Sequence, residues 1–211
     1  GTLDESFAGP PLASTGSDYR VEMKAVAAQA KGGVLAGGNL STLVGGTRRD
    51  GLIRLLADGS LDETFPCVLN EGASVEALWL LPDDRAIIAG RFRSVNGLAR
   101  PGLARLNADG SCDPTFAPQL VLGAQDTPCA VAVQPDGKVL LGLDRPPLGE
   151  GGPGPALVRL QPDGQLDPNF QPGLDARCAV HRVVVQSDGR ILVGGSCGLV
   201  CLTPSGSRDA E

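Results

Sequence analysis

Arg105–Phe116 reads RLNADGSCDPTF, and near-copies of it recur as RLLADGSLDETF from Arg54 and RLQPDGQLDPNF from Arg159. The chain is therefore built of repeats. A fragment of the same unit, GTLDESF, occupies Gly1–Phe7, and a worn one, CLTPSGSRDAE, occupies Cys201–Glu211. A second unit precedes each copy of the first: AVAAQAKGGVLAGG from Ala25, ALWLLPDDRAIIAG from Ala77, AVAVQPDGKVLLG from Ala130 and VVVQSDGRILVGG from Val183. Its turn residues Gly32, Asp84, Gly137 and Gly189 are spaced by 52, 53 and 52 residues. A period of about fifty marks a propeller or a solenoid.

Each unit reads as a hairpin. Ala130–Val133 is apolar throughout, as are Ala25–Ala28, Ala77–Leu80 and Val183–Val185. Strands without polar alternates must be covered on both faces. The PDGK, PDDR, SDGR or AKGG that follows is a tight turn, in which Asp bonds the backbone and Gly accepts positive φ. The Arg105-type unit adds a further strand, the turn ADGS and a strand ending in Phe. Phe7, Phe65, Phe116 and Phe170 sit there and are expected to be packing anchors between neighbouring units. Two hairpins per unit predict blades of four antiparallel strands, and radial blades of that kind make a β-propeller. The expected fold is an all-β propeller of about four blades in one domain, 1–211. The blades fall at about 24–65, 75–116, 128–170 and 180–206, the last completed by 1–7. Leu3–Phe7 would close the ring as its outer strand and leave no exposed edge. The competing arrangements are insertion of that strand into a neighbouring molecule and an arc cut from a larger propeller.

The Asp-bearing turns share one end of the blades, and the longer connections, among them Asn39–Asp50, Arg91–Pro101 and Leu143–Pro155, share the other. A binding surface is expected on the long-loop face. Arg48, Arg49, Arg91, Arg93, Arg100 and Arg145 gather there and read as a solvated surface, with attraction of an acidic partner as the alternative.

With 18 basic and 24 acidic residues the chain is mildly acidic, which argues against nonspecific nucleic-acid binding. No apolar run is long enough to cross a bilayer as a helix. The six cysteines, Cys67, Cys112, Cys129, Cys178, Cys197 and Cys201, form no CxxC pair, so zinc and c-type haem readings fail. Burial as small apolar residues and disulfide formation stand side by side, with Cys197 and Cys201, flanking one connection, the expected pair if a bridge forms.

Several patterns carry a chemical reading beside a structural one. Asp58 with Asp62, Asp109 with Asp113 and Asp163 with Asp167 could offer oxygens to Ca²⁺, which needs six to eight; turn formation accounts for them better. Arg54, Arg105 and Arg159 read as structural partners of a repeat Asp. GGSCG at Gly194–Gly198 matches GxSxG, with His181 in the same unit, but lacks the strand-to-helix elbow. Trp79 stands where Ala27, Ala132 and Val184 stand and reads as a core or channel plug. Tyr19 and Phe92 are too few for sugar stacking, and Asn39-Leu40-Ser41 is a bare sequon. No catalytic, cofactor-binding or metal-binding residue is assigned, and no cofactor is expected.

LARLNADGSCDPTF, AVAVQPDGKVLLG and FRSVNGLARPGLARL at Phe92–Leu106 resemble the delta-60 repeat family of bacterial β-propeller-like proteins. The resemblance implies an exported or surface propeller without catalytic activity or cofactor. Departures are Asp84 in place of a turn Gly, Leu143 after Gly142, and the loss of Arg and Phe from the last copy. The functional expectation is a non-enzymatic, extracytoplasmic module for protein interaction or self-assembly, without membrane insertion. The alternative is a propeller enzyme or a small-ligand or Ca²⁺ binder using the central channel or loop face.

Overall fold

The computed structural model describes residues 7, 9–10, 21–120, 122, 126–144, 148–149, 152–153, 156–175 and 178–209. Four three-stranded antiparallel sheets follow one another along the chain. The first contains β1 (Glu22–Ala28), β2 (Val34–Val44) and β3 (Thr47–Leu55). The second contains β4 (Ser74–Leu80), β5 (Ala86–Arg91) and β8 (Leu103–Leu106), with β6 (Ser94–Val95) and β7 (Leu98–Ala99) as a side hairpin. In the third are β9 (Pro128–Val133), β10 (Val139–Leu143) and β13 (Leu157–Leu160), beside the small hairpin of β11 (Leu148–Gly149) and β12 (Gly152–Pro153). The fourth is formed by β14 (Val180–Val185), β15 (Ile191–Gly195) and β16 (Gly198–Leu202). The fold is an all-β propeller, as the repeat period predicts.

The tight turns follow the chemistry read from the sequence. At β9–β10 Gly137, with φ at 83°, donates its N–H to Gln134 O at 2.9 Å, and Lys138 N donates to Asp136 Oδ1 at 3.2 Å. Asp84 occupies the same left-handed position with φ at 62°, which Asp tolerates better than most residues. It returns a bond that Gly cannot make: its Oδ1 accepts Ala30 N of the first sheet at 2.9 Å.

The expected fourth strand is reduced to one bridging residue per sheet, in the pairs Leu55–Leu61, Leu106–Cys112, Leu160–Leu166 and Leu202–Arg208. The cause is the Asp that follows. Asp113 Oδ1 accepts both the N–H of Thr115, at 2.9 Å, and its hydroxyl, at 2.7 Å. This curls the chain into a turn and ends the strand. In the fourth sheet Arg208 itself makes the bridge. Leu3–Ser6, expected to complete that sheet, lie outside the described residues.

Three of the long connections contain hairpins, β11–β12 being one. β2 and β3 run on past Gly37 to a turn at Gly45-Gly46, with φ at 54° and 78°, and β6–β7 turns at Asn96-Gly97, with φ at 50° and 79°. These are the dihedrals of a primed turn.

Neighbouring sheets pack face to face. Leu35, Leu52 and Phe65 meet Val75, Ala86, Ile88 and Leu106 between the first and second sheets. Ile87, Leu103 and Phe116 meet Val131, Val139 and Leu141 between the second and third. Leu140, Leu157 and Phe170 meet Val183, Ile191, Val193 and Leu202 between the third and fourth. Phe65, Phe116 and Phe170 therefore work between units, as expected, whereas Phe7, expected to be a fourth anchor, is 42% exposed and belongs to none of these cores. Phe65 lies where a Cβ on Gly110 would stand, and Phe170 covers Gly206 in the same way. Trp79 borders two of these cores, consistent with a plug. Among the described residues, the strands of the first and fourth sheets are not packed together as the other neighbours are.

Phe116, with no exposed surface, is the largest of the fully buried anchors. Phe116→Ala is expected to lower the unfolding free energy by about 3–5 kcal/mol, read from the midpoint shift in urea. A change below about 1 kcal/mol would show that the anchors do not hold neighbouring sheets together.

Candidate functional site

β1, β4, β9 and β14 are the inner strands, and together they line a central funnel of about 280 Å³. Each carries a register shift at the same repeat position, displacing Lys24, Glu76, Cys129 and His181 from the ladder. A bulge re-aims the side chain it displaces, and these four sit at the loop-face end of their strands. Lys24 Nζ lies 2.7 Å from Glu76 Oε2, and Glu76 Oε1 accepts the Ser74 hydroxyl at 2.9 Å. Cys129 Sγ donates to Val180 O at 3.0 Å. Burial, assisted by the Asp144 charge and opposed by Arg182, pushes the Cys129 thiol up to about 11. It is an uncharged wall residue at neutral pH, not a nucleophile. His181 Nε2 lies 3.1 Å from Asp144 Oδ1, and Arg182 Nη1 donates to His181 O at 2.7 Å.

Beside the funnel a groove of about 750 Å³ opens on the loop face between the second and third sheets. Glu71, Arg91, Arg93, Asp126, Thr127 and Asp144 line it. Arg91 Nε donates to Thr127 Oγ1 at 3.2 Å. The main-chain N–H of Arg93 donates to Asn70 Oδ1 at 2.6 Å, which fixes the groove wall. Arg48 is drawn away by Asp50 at 2.9 Å and Glu71 at 3.0 Å. The basic cluster expected here is therefore mixed in sign. Phe92, considered as an exposed aromatic, is only 4% exposed and belongs to the core. Tyr19 and Arg145 lie outside the described residues.

The repeated Asp and Arg residues act on the structure. Arg54, Arg105 and Arg159 donate through Nε to Asp62, Asp113 and Asp167 at 2.7, 2.8 and 2.9 Å. Their guanidinium carbons stand 4.5, 4.9 and 4.4 Å from the rings of Phe65, Phe116 and Phe170. The first carboxylate of each pair is spent on its own turn, as when Asp58 Oδ1 accepts Ser60 N at 2.9 Å and the Ser60 hydroxyl at 2.6 Å. Among the described residues no group of three or more His, Cys, Asp and Glu converges as a metal site would.

The disulfide joins Cys178 to Cys197, with 5.2 Å between Cα atoms, and Cys201 is free. The expected Cys197–Cys201 pair fails because Gly198–Leu202 is extended: four residues of strand span about 13 Å, beyond disulfide reach. GGSCG is a strand-to-strand turn whose Ser196 Oγ accepts Ala179 N at 2.8 Å. Its histidine faces Asp144, so no triad is assembled. The sequon lies in β2 with Leu40 and Ser41 buried, not in an accessible loop.

The funnel ring was missed from sequence because Lys24, Glu76 and Cys129 stand one residue before the apolar runs that define the hairpins. A legible signal was there: each lies eight positions before the turn residue, as His181 does before Gly189.

The family model described as "Domain of unknown function (DUF5122) beta-propeller" matches residues 29–65, 81–116, 134–170 and 186–211. No curated protein matches the sequence. Among solved structures, the chain is similar to PorZ, a surface component of the type-IX secretion system of Porphyromonas gingivalis. That likeness has TM-score 0.58 at 16% identity and covers 100% of this chain and 29% of the other. It is also similar to the extracellular domain assigned to a one component system of B. thetaiotaomicron, with TM-score 0.54, 14% identity and coverage of 85% and 21%. A third likeness, to virginiamycin B lyase from Staphylococcus aureus, has TM-score 0.54, 14% identity and coverage of 92% and 56%. The chain spans less than two thirds of each, and identities this low speak for the fold alone.

Burial pushes the carboxyl of Asp113 up, but bonds from Thr115 and Arg105 outweigh it and leave the group below the ordinary Asp range; Asp62 and Asp167 are likewise lowered. A carboxyl lowered by folding stabilises above its unfolded pKa of about 4 and loses that contribution as pH falls through the folded value. Asp113→Asn is therefore expected to cost about 3 kcal/mol at pH 7, in urea unfolding. Its deficit relative to the parent should shrink below about pH 4; a deficit independent of pH would refute the ionised latch.

Proposed function

We propose, from the premise that the chain belongs to the DUF5122 beta-propeller family, that it is a non-enzymatic propeller module that binds another protein on its loop face. The observation that carries this reading is an asymmetry between the two ends of the sheets. On the turn face, Arg54, Arg105, Arg159 and the turn carboxylates are consumed by internal bonds. On the loop face a wide groove keeps exposed Arg91 and Arg93 beside Glu71. A scaffold that commits the Arg and Asp side chains of one end to internal bonds and leaves charges of both signs around a groove at the other suits recognition of a polar protein surface. The repeat is of the delta-60 type, a grouping supported by RLNADGSCDPTF and AVAVQPDGKVLLG. Location outside the cytoplasm is supported by the Cys178–Cys197 bridge, since such bonds persist in oxidising compartments. The extracellular and surface propellers it resembles support the same location.

A second reading, binding of a small ligand, rests on the funnel, where Lys24, Glu76 and Arg182 bring opposite charges to one cavity. Lys24–Glu76 already satisfy each other at 2.7 Å, so a ligand there would have to displace that pair.

The test is capture of extracytoplasmic proteins by the immobilised parent, by Arg91→Glu/Arg93→Glu and by Lys24→Met/Glu76→Gln. The charge reversal is expected to reduce capture of a specific partner at least tenfold, and the funnel variant to leave it unchanged. Capture that survives the charge reversal, or that follows the funnel variant instead, overturns the loop-face reading.

A further inference from the structure

Around the Arg, Asp and Phe of the repeat, the first and third sheets present the same set of walls. In the first sheet Leu52, Ile53, Leu61 and Phe65 border a space of only about 10 Å³. At the matched positions of the third sheet, Leu157, Val158, Leu166 and Phe170 border a pocket of about 440 Å³.

The difference has a cause in the sequence. In the first sheet the space is closed by Val44, 6% exposed, and by Arg49, whose Nη1 is shut off from water. Both stand beside the Gly45-Gly46 turn of the β2–β3 hairpin. Arg49 precedes Leu52 by three positions. Arg100 precedes Leu103 by three in the second sheet, where it lies against Cys112 with its Nε likewise shut off from water. Three positions before Leu157 the chain carries Gly154, which has no side chain to offer. The third copy therefore lacks the long aliphatic stem that the other two lay over these walls. Leu166 is accordingly 48% exposed, whereas its counterpart Cys112 is 7% exposed and its counterpart Leu61 is partly buried.

The pocket has the make-up of a small-molecule site. Leu120, Leu122 and Leu143 add to its walls, and cavities of a few hundred Å³ lined by apolar side chains with a few polar groups are where such ligands bind. Among the described walls Arg159 and Asp167 are bonded to each other at 2.9 Å, so neither charge calls for a charged ligand. Exposed Gln119 remains to meet a neutral polar head. The first sheet indicates the occupant, because there the same walls hold the branched side chain of Val44 and the methylene stem of Arg49.

We propose that the third sheet holds a binding pocket for a small molecule with an uncharged aliphatic chain, seated where Val44 and Arg49 lie in the first sheet. This site is additional to the protein contact proposed above, and among the described residues it shares only Leu122 with the loop-face groove.

The test is fluorescence titration of the full chain with N-phenyl-1-naphthylamine, an uncharged apolar fluorophore, followed by displacement with 1-octanol. The parent is expected to saturate at one fluorophore per chain and to release it to octanol. Leu166→Arg introduces the residue type that the fourth copy carries as Arg208, which still makes the strand bridge. Leu120→Lys alters the opposite side of the sequence repeat. Each variant, checked as folded by circular dichroism, is expected to bind the fluorophore roughly tenfold or more weakly, because a charge enters an apolar wall. Arg91→Glu/Arg93→Glu should bind it like the parent, so failure of the loop-face reading and failure of this one are separable. A parent that does not saturate, a fluorophore that octanol does not displace, or binding indifferent to both wall substitutions would each overturn the proposal.

Discussion

The guanidinium of Arg105 and its counterparts hold the molecule together at its most demanding point. Each lies between a carboxylate of its own sheet, an aromatic ring of its own sheet and a carbonyl of the next. A planar cation with several donors can satisfy all three at once; a lysine ammonium has neither the flat face nor the fork. The arrangement solves two problems together. It fixes the spacing of neighbouring sheets, and it neutralises an Asp that must be buried because it also forms the turn ending the blade. Asp113 and Asp167 are only 5% and 6% exposed, so either left alone would be an uncompensated charge. The Phe then needs a surface without side chains to press against, which is why Gly110 and Gly206 stand opposite Phe65 and Phe170. Sequence motif and interface are the same object.

This explains why so much of the fold was legible. Arg, Asp-Gly, Asp and Phe recur with fixed offsets because one latch requires all of them, and the apolar runs mark the inner strands, although the expected cover on both faces fails at Val26 and Val184, which are 65% and 54% exposed. The outermost strand was not legible. DGSLDETF has the alternation of a short strand, but the Asp captures the N–H and hydroxyl of the residue two positions on, and local side-chain bonding wins over the ladder. The hairpins at Gly45-Gly46 and Asn96-Gly97 carry turn signals legible in the sequence, Gly-Gly and Asn-Gly, although the connections that hold them lie outside the two repeated units. The disulfide was misplaced for a geometric reason: short spacing in sequence becomes a long distance once the intervening residues are extended.

The funnel shows a different limit. Residues defined by a bulge leave the periodicity that makes strands recognisable, so a search for apolar runs stops one residue short of them. Their chemistry also varies from sheet to sheet, with Lys24, Glu76, Cys129 and His181 at one repeat position. Where the latch repeats because each interface needs the same bonds, the ring differs because no packing constraint ties its members together. Positions held by the scaffold but not by the core are where a repeat protein can carry specificity.

The fourth sheet follows from the same reasoning about interfaces. In a stack of repeats each interface contributes its own nearest-neighbour energy, so replacing the repeat's Arg by Cys201 bears on the contact ahead of the last sheet and not on the one behind it. The contact behind it remains complete: Phe170 covers Gly206, Arg159 reaches Pro204, and Val193 and Leu202 are fully buried. The sheet therefore stays folded on its predecessor while its forward face is released from the repeat's requirements. Cys178–Cys197 reinforces this by tying the entry of the sheet to the turn between β15 and β16. The cation that Cys201 cannot supply comes instead from the turn of the same sheet, where Arg190 Nε lies 3.2 Å from Asp209 Oδ2.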